Sequence, residues 1–201
     1  VIRVLVAEDV RMLREALVAL LGFEEDIEVV AEVDTGDAIV RAALEHRPDV
    51  AVLDIELPAL DGLSAAALLH ERLPECRVLI LTGLGRPGNL RRGVEAHVSG
   101  FMLKDSRPQD LVQAIRTVAA GGLVIDQQLA YAALDVPGNP LTEREAEVLR
   151  LTGEGATPRD IARDLHLSYG TVRNYLASSV TKLNARTRMD AVRIATEAGW
   201  L

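Results

Sequence analysis

Short apolar runs alternate with amphipathic stretches over the first 120 residues. Ile2 to Ala7, Ile27 to Val33, Val50 to Leu53, Val78 to Leu81 and Gly100 to Leu103 are aliphatic or β-branched and bounded by polar or glycine residues, which predicts strands. Between and after them lie Val10 to Leu21, Asp37 to His46, Leu63 to Arg72, Pro87 to Ala96 and Pro108 to Ala120. In the first of these, Met12, Leu13, Ala16, Leu17, Leu20 and Leu21 recur at helical spacing. Pro87 and Pro108 stand where a first helical turn tolerates proline. Five βα units in a row imply a parallel sheet covered on both faces, because parallel neighbours need crossover helices. The third and fourth strands read as continuous apolar runs, as doubly buried strands do. The fold class is therefore α/β, a five-stranded, parallel, doubly wound sheet.

Gly121-Gly122 stops the fifth helix. Residues 121–140 read as a linker, with a short helix over Gln127 to Leu134 and then Pro137, Gly138, Asn139 and Pro140. The remainder, 141–201, contains no convincing strand. Thr142 and Glu145 form a capping box opening a helix through Ala146, Val148 and Leu149 that ends near Gly153. Thr157-Pro158 starts a second helix ending by Leu165, Ser168 caps a third reaching Leu183, and a fourth runs from Met189 to Ala198. Four helices in so short a span make a small all-α domain.

Composition divides along the same line. The whole chain has 22 Lys/Arg against 30 Asp/Glu, yet up to Ala120 the balance is 13 against 20 and from Gly121 it is 9 against 10. Ser168 to Arg188 holds Arg173, Lys182, Arg186 and Arg188 with no acid. An acidic body and a locally basic stripe suggest two modules with different partners. No apolar run approaches the ~18 residues of a membrane span, and the opening residues lack a signal-peptide core. The single cysteine, Cys76, fits a reducing cytoplasm. His46, His70, His97 and His166 lack metal-ligand spacing. The opening valine suggests that a residue or two precede it.

Parallel α/β sheets place functional groups at the carboxyl ends of their strands. Those ends carry Glu8 and Asp9, Asp54, Thr82 and Lys104. Converging carboxylates repel one another, and a hard divalent cation, Mg2+ above all, removes that cost. Lys104 supplies a compact ammonium and Thr82 a hydroxyl. This set fits phosphoryl transfer to Asp54, because a carboxylate nucleophile needs no general base and catalysis reduces to positioning and charge neutralisation. Asp9 taken alone also fits a helix N-terminal charge.

Val4-Leu5-Val6-Ala7-Glu8-Asp9, Asp49 through Pro58, Asp61-Gly62, Leu81-Thr82 and Gly100-Phe101-Met102-Leu103-Lys104-Asp105 resemble the receiver domain of bacterial two-component response regulators. The likeness spans residues 1–120 and implies a flavodoxin/CheY-like fold. It implies that Asp54 accepts a phosphoryl group from a sensor histidine kinase. Asp9, Asp54 and the backbone carbonyl of Glu56 would hold Mg2+, with Glu8 helping through water. Thr82 and Phe101 correspond to the family's switch pair, in which the threonine turns to the phosphoryl group and the aromatic follows inward. Phe101 has no hydroxyl, so its inward state gains packing only. His97 stands where relatives usually carry glycine, and a left-handed backbone there would strain it.

In the tail, Val172, Leu176, Val180 and Leu183 follow helical spacing toward a core shared with Leu165 and Leu167, and Ala162 is small enough for a close helix crossing. Arg173, Asn174, Ala177, Ser178 and Lys182 lie opposite, a face that can enter a major groove. Ser168, Thr171 and Arg173 can reach phosphates, and Asn174 can read a base edge. Leu141 to Leu149, Ile161-Ala162, Leu167 to Leu176 and Lys182-Leu183 are similar to the LuxR-type helix-turn-helix, with Pro158, Asp160 and Tyr175 departing from its common residues. Receiver plus this tail is the layout of the NarL/FixJ class, and the linker and Gly199-Trp200-Leu201 look most like its DesR-type members.

That layout implies a cytoplasmic transcription regulator, not an enzyme beyond its own phosphorylation and slow dephosphorylation. Its partners would be a kinase, a palindromic DNA operator and a second copy of the chain. Leu13, Leu17, Leu111 and Ile115, on the first and fifth helices, are the candidate dimer surface. An aspartate-nucleophile phosphatase would want its nucleophile after strand one and a second aspartate two residues on, where this chain has Glu56. A small-molecule sensor would want an apolar cavity in the first module.

Overall fold

The computed structural model describes residues 1–83, 87–127, 129–130 and 139–201. The chain divides into two compact units, the division falling after residue 132 except that residues 86–88 group with the second. In the first, strands β1 (Ile2–Ala7), β2 (Ile27–Val33), β3 (Val50–Asp54), β4 (Arg77–Thr82) and β5 (Gly100–Leu103) alternate with helices α1 (Arg11–Leu21), α2 (Gly36–His46), α3 (Gly62–Arg72), α4 (Pro87–Glu95) and α5 (Pro108–Ala119). The sheet has six strands where the sequence predicted five: Val124–Ile125 forms β6, parallel to β5. Its pairing rests on bonds from Val124 N to Ser99 O and from Asp126 N to Phe101 O. Two residues are too few for alternation to mark, so the segment reads as linker. Residues 128 and 131–138, part of that linker and most of its expected helix, lie outside the described residues.

Strand order is β2-β1-β3-β4-β5-β6, all parallel. Period-two alternation sends successive strand residues to opposite faces. Leu5, Ala7, Leu53 and Ile80 pack with Ile39, Leu63 and Leu69 on one side. Val4, Val6, Val52 and Leu79 pack with Leu17, Leu21 and Ile115 on the other. The direction of winding reverses between β1 and β3, which opens a crevice at their carboxyl ends.

The turn after β3 is built to pass close by that crevice. Ala59 takes a left-handed backbone at φ 67, Asp61 caps α3 by accepting from Leu63 N and Ser64 N, and Gly62 N donates to Ile55 O at 2.9 Å. A Cβ on Gly62 would lie 1.9 Å from the backbone oxygen of Asp54, so only glycine allows α3 to start against β3. The sequence-derived concern over His97 holds, since its φ is 57.

In the second unit, helices α6 (Glu143–Gly153), α7 (Pro158–Asp164), α8 (Tyr169–Lys182) and α9 (Arg188–Glu197) bury Val148, Leu149, Ile161, Val172, Ala191 and Ala195. Thr142, Thr157, Ser168 and Thr187 cap them, each accepting from the backbone N–H three residues on.

Because the obstruction at Gly62 is backbone and not a yielding side chain, Gly62→Ala is expected to destabilise the first unit by about 1–3 kcal/mol. Urea denaturation followed by circular dichroism measures this, and a midpoint equal to that of the parent chain would contradict the close approach.

Candidate functional site

β1 and β3 deliver Glu8, Asp9 and Asp54 to one point: one carboxylate oxygen from each lies within 4.8 Å of the others. Glu8 and Asp54 are 1% and 4% exposed, while Asp9 is open to solvent. β5 brings Lys104, whose Nζ is 2.8 Å from Glu8 Oε2 and 2.8 Å from Asp54 Oδ2. β4, lying between β3 and β5, ends in Thr82, also buried, and its backbone oxygen accepts from Lys104 N. All the strand-end residues singled out from the sequence are therefore gathered at the crevice. The Glu56 side chain is exposed.

Burial pushes the Glu8 carboxyl up, against the pull of the Lys104 ammonium and with the Asp54 charge adding to the rise. Burial would lower Lys104, but hydrogen bonds to Asp54 and Glu8 outweigh it and hold the ammonium above its ordinary value. Three carboxylates against one ammonium leave room for a hard dication, and an all-oxygen donor set with one solvent-open member suits Mg2+.

Phe101 is 3% exposed and lies inward, against α4. The ring fits because position 93 is glycine; a Cβ there would meet Phe101 Cζ at 2.1 Å. Arg92, next to it, pairs with Asp61 at 2.8 Å and so ties α4 to the start of α3. Leu13, Leu17 and Leu111 line an apolar groove of about 230 Å³ with Ala16, Leu20 and Pro108. Three of the four candidate dimer residues are corrections: Ile115 is 0% exposed, and Leu17 and Leu111, at 8% and 6%, belong to the same sheet-packing core and show only an edge to the groove, which leaves Leu13 as the one that is half-open.

On the second unit, α8 buries Val172, Leu176 and Leu183 as expected, with Ser179 fully buried and Val180 only half so. Arg173, Asn174 and Ala177 are exposed. Ser168 Oγ accepts from Thr171 N at 3.0 Å, and the first turn of α8 carries no acid. Arg173 extends over the Tyr169 ring, 6.0 Å from its centroid. Lys182 and Ser178 are less free than the sequence suggests. Lys182 Nζ is 2.7 Å from Glu145 Oε2, and Ser178 Oγ donates to Glu145 Oε1 at 2.6 Å.

Glu145 is buried at 4% exposure and also accepts from Thr142 N at 2.7 Å. The capping box was legible; the second set of partners, more than thirty residues on, was not. The bond from Arg14 to Glu8 O and the contact of Gly93 with Phe101 follow no helical or strand period and were missed as well, whereas Tyr169 and Arg173 stand at i, i+4 on one helix and their pairing could have been read from the spacing.

Burial would raise the Glu145 carboxyl, but Lys182, Ser178 and Thr142 together reverse this and hold it at about 2 against an ordinary 4.5. The folded state keeps the charge more tightly than the unfolded chain does. The stabilisation is thus fully present above about 4.5 and is lost as pH falls toward 2. Trp200, the sole tryptophan, packs against the core of this unit and reports its unfolding. Urea midpoints followed by its fluorescence should fall across that window in the parent chain and stay flatter in Glu145→Gln; equal slopes would refute the assignment.

Residues 4–116 match the family described as response regulator receiver domain, and residues 139–195 the one described as bacterial regulatory proteins, luxR family. The chain is 43% identical over 200 residues to the uncharacterized transcriptional regulatory protein YvfU of Bacillus subtilis (strain 168), covering 100% of both. It is 40% identical over 199 residues to the transcriptional regulatory protein DesR of the same organism, covering 99% of this chain and 98% of DesR. Among solved structures it resembles the response regulator ChrA of a heme-sensing two-component system, at 30% identity and TM-score 0.60, covering 100% of this chain and 98% of ChrA. RcsB from Salmonella enterica serovar Typhimurium bound to promoter P1flhDC shares the fold at 22% identity and TM-score 0.73, covering 98% of each chain. With both families matched in this order and relatives aligned from end to end, the chain belongs to the NarL/FixJ-class response regulators, a receiver domain joined to a LuxR-type helix-turn-helix domain.

Proposed function

We propose that this regulator is controlled by phosphorylation of Asp54 and acts on transcription by binding a palindromic DNA operator as a dimer. The observation that carries the reading is the buried Asp54 carboxylate sharing the Lys104 ammonium with Glu8, beside solvent-open Asp9. Asp9, Asp54 and the Glu56 carbonyl would hold Mg2+, with Glu8 assisting. When bound, Mg2+ would set positive charge against the phosphoryl oxygens.

An Asp54 carboxylate oxygen attacks phosphorus in the donor, a kinase phosphohistidine or acetyl phosphate. The bond from phosphorus to the donor nitrogen or oxygen breaks, and its electron pair leaves with the donor. Lys104 then turns its ammonium from the carboxylate pair to a phosphoryl oxygen, and the Thr82 hydroxyl donates to another. Phe101 is already packed inward beneath α4, so in this scheme the turn of Thr82 meets an aromatic that needs no inward movement. The chain turns over no separate substrate; hydrolysis of its own acyl phosphate resets it. Kinase and DNA both place this work in the cytoplasm.

The exposed residues of α8 fit the major groove, with Arg173 and the helix start on phosphates and Asn174 on a base edge. Lys182 and Ser178 contribute by fixing α8 to α6. Leu13, with the groove it edges beside Leu17 and Leu111, marks the dimer surface, and phosphorylation raises the dimer fraction and with it operator affinity.

Acetyl phosphate with Mg2+ should add one phosphoryl group, located by mass spectrometry on Asp54 and absent from Asp54→Asn. Equal labelling of the variant would overturn the assignment. On duplexes selected from a random pool, Arg173→Ala should weaken binding to all sequences and reduce the salt slope by about 1. Asn174→Ala should instead relax the preference at one position of each half-site, at a cost of about 1–3 kcal/mol on the preferred base. Unchanged selectivity in Asn174→Ala would remove it from base reading.

A further inference from the structure

We propose that Arg14 is a positioning residue for the divalent-ion site, its guanidinium holding the turn that carries Glu8 and Asp9. The inference rests on the reading of the acidic centre as a Mg2+ site. Arg14 Nη1 donates to the backbone oxygen of Glu8 at 2.6 Å, and the side chain is only 16% exposed. Its backbone N–H donates to Val10 O at 3.0 Å. That second bond is the first of the helix and would form with any residue here, so the hold that depends on arginine is the one its side chain makes on Glu8 O.

The turn needs that grip. Val10, at the N-cap of α1, makes no side-chain capping bond, and the first turn of the helix has no acid. The start of α3 shows the contrast, where Asp61 caps two N–H groups. On its other side the turn is held by Glu8 N donating to Val33 O at 3.1 Å, and within it Val10 N reaches Glu8 Oε1 at a long 3.3 Å. A guanidinium is suited to the task because its planar fork fixes direction as well as distance. With the Glu8 peptide plane fixed, Glu8 and Asp9 stay gathered with Asp54. Arg14 also lies 4.0 Å from Glu32 on β2, but that carboxylate is 46% exposed and marks the far end of the side chain.

Two effects of losing Arg14 have opposite signs. As a nearby cation it repels Mg2+, so through-space electrostatics alone predicts tighter binding once it is gone. As a positioning residue it preorganises the ligands, so its loss weakens binding; groups that orient metal ligands typically account for about 10–100-fold in affinity.

Isothermal titration of the full chain with MgCl2 decides. Arg14→Met should raise the Mg2+ dissociation constant about tenfold, Arg14→Lys about threefold, and Glu32→Gln less than twofold. The Mg2+ concentration that half-saturates acetyl phosphate labelling should move in parallel, with the final yield at saturating Mg2+ unchanged. Should Arg14→Met not fold, Arg14→Lys carries the test on the same terms. Arg14 variants that bind Mg2+ as tightly as the parent chain, or more tightly, overturn the proposal while leaving the Mg2+ site standing. A parent chain that shows neither Mg2+ binding nor Mg2+-dependent labelling overturns the site and this inference with it.

Discussion

Glu8 and Asp54 lie side by side with almost no access to water, at the ends of neighbouring strands. Either charge left unpaired at such depth would cost several kcal/mol. The Lys104 ammonium, 2.8 Å from each, is what makes the pair tolerable. The strand order produces this contact: β3 stands next to β1, β4 follows with Thr82, and β5 returns Lys104 to the same rim. One ammonium does not balance three carboxylates, however. With Glu8, Asp9 and Asp54 all ionised the rim keeps a net charge of about −2, and a dication is the simplest species that cancels it. Resting neutrality is thereby incomplete, and the proposed metal, then the proposed phosphoryl transfer, would answer that imbalance.

The second unit solves a similar problem for a different end. Glu145 is buried and ionised, and Lys182, Ser178 and Thr142 complete its coordination sphere of donors. Two polar side chains of α8 are spent inward on this carboxylate, so the DNA face proposed for this helix narrows to Arg173, Asn174, Ala177 and the helix start. The narrowing has a benefit. A recognition helix bound to α6 by a charge-assisted network holds one orientation, and base-edge hydrogen bonds demand that orientation.

Much of this was legible in the sequence because it is local or periodic. The apolar runs located β1 to β5, and the Thr142, Thr157 and Ser168 signals located the starts of three helices of the tail. Carboxylates at strand ends converge in any doubly wound parallel sheet, so Glu8, Asp9, Asp54, Thr82 and Lys104 could be grouped before any coordinate was known. What escaped lies across space. Arg14 on the Glu8 carbonyl, Glu145 under Lys182 and Gly93 over Phe101 join residues whose spacing follows no period. Ile115 illustrates the converse limit. It shares a helical stripe with Leu111, yet Leu111 edges a groove while Ile115 is sealed in the core. Periodicity identifies the buried side of a helix but not which residues on it remain reachable.

The absence of a side chain at Gly93 has a mechanical consequence for α4. The Phe101 ring occupies the volume in which a Cβ of residue 93 would stand, so ring and helix backbone touch with nothing between them. Neither can be displaced inward independently of the other. Arg92, one residue earlier, holds Asp61 at the start of α3, immediately after the turn that begins at Asp54. The helix is therefore tethered through Gly93 to the aromatic on β5 and through Arg92 to the loop that follows β3. A lone charge pair, partly exposed, contributes little to stability. Combined with a steric contact at the adjacent position, it joins α4 both to β5 and to the start of α3, so a displacement of Phe101 or Asp61 would bear directly on this helix.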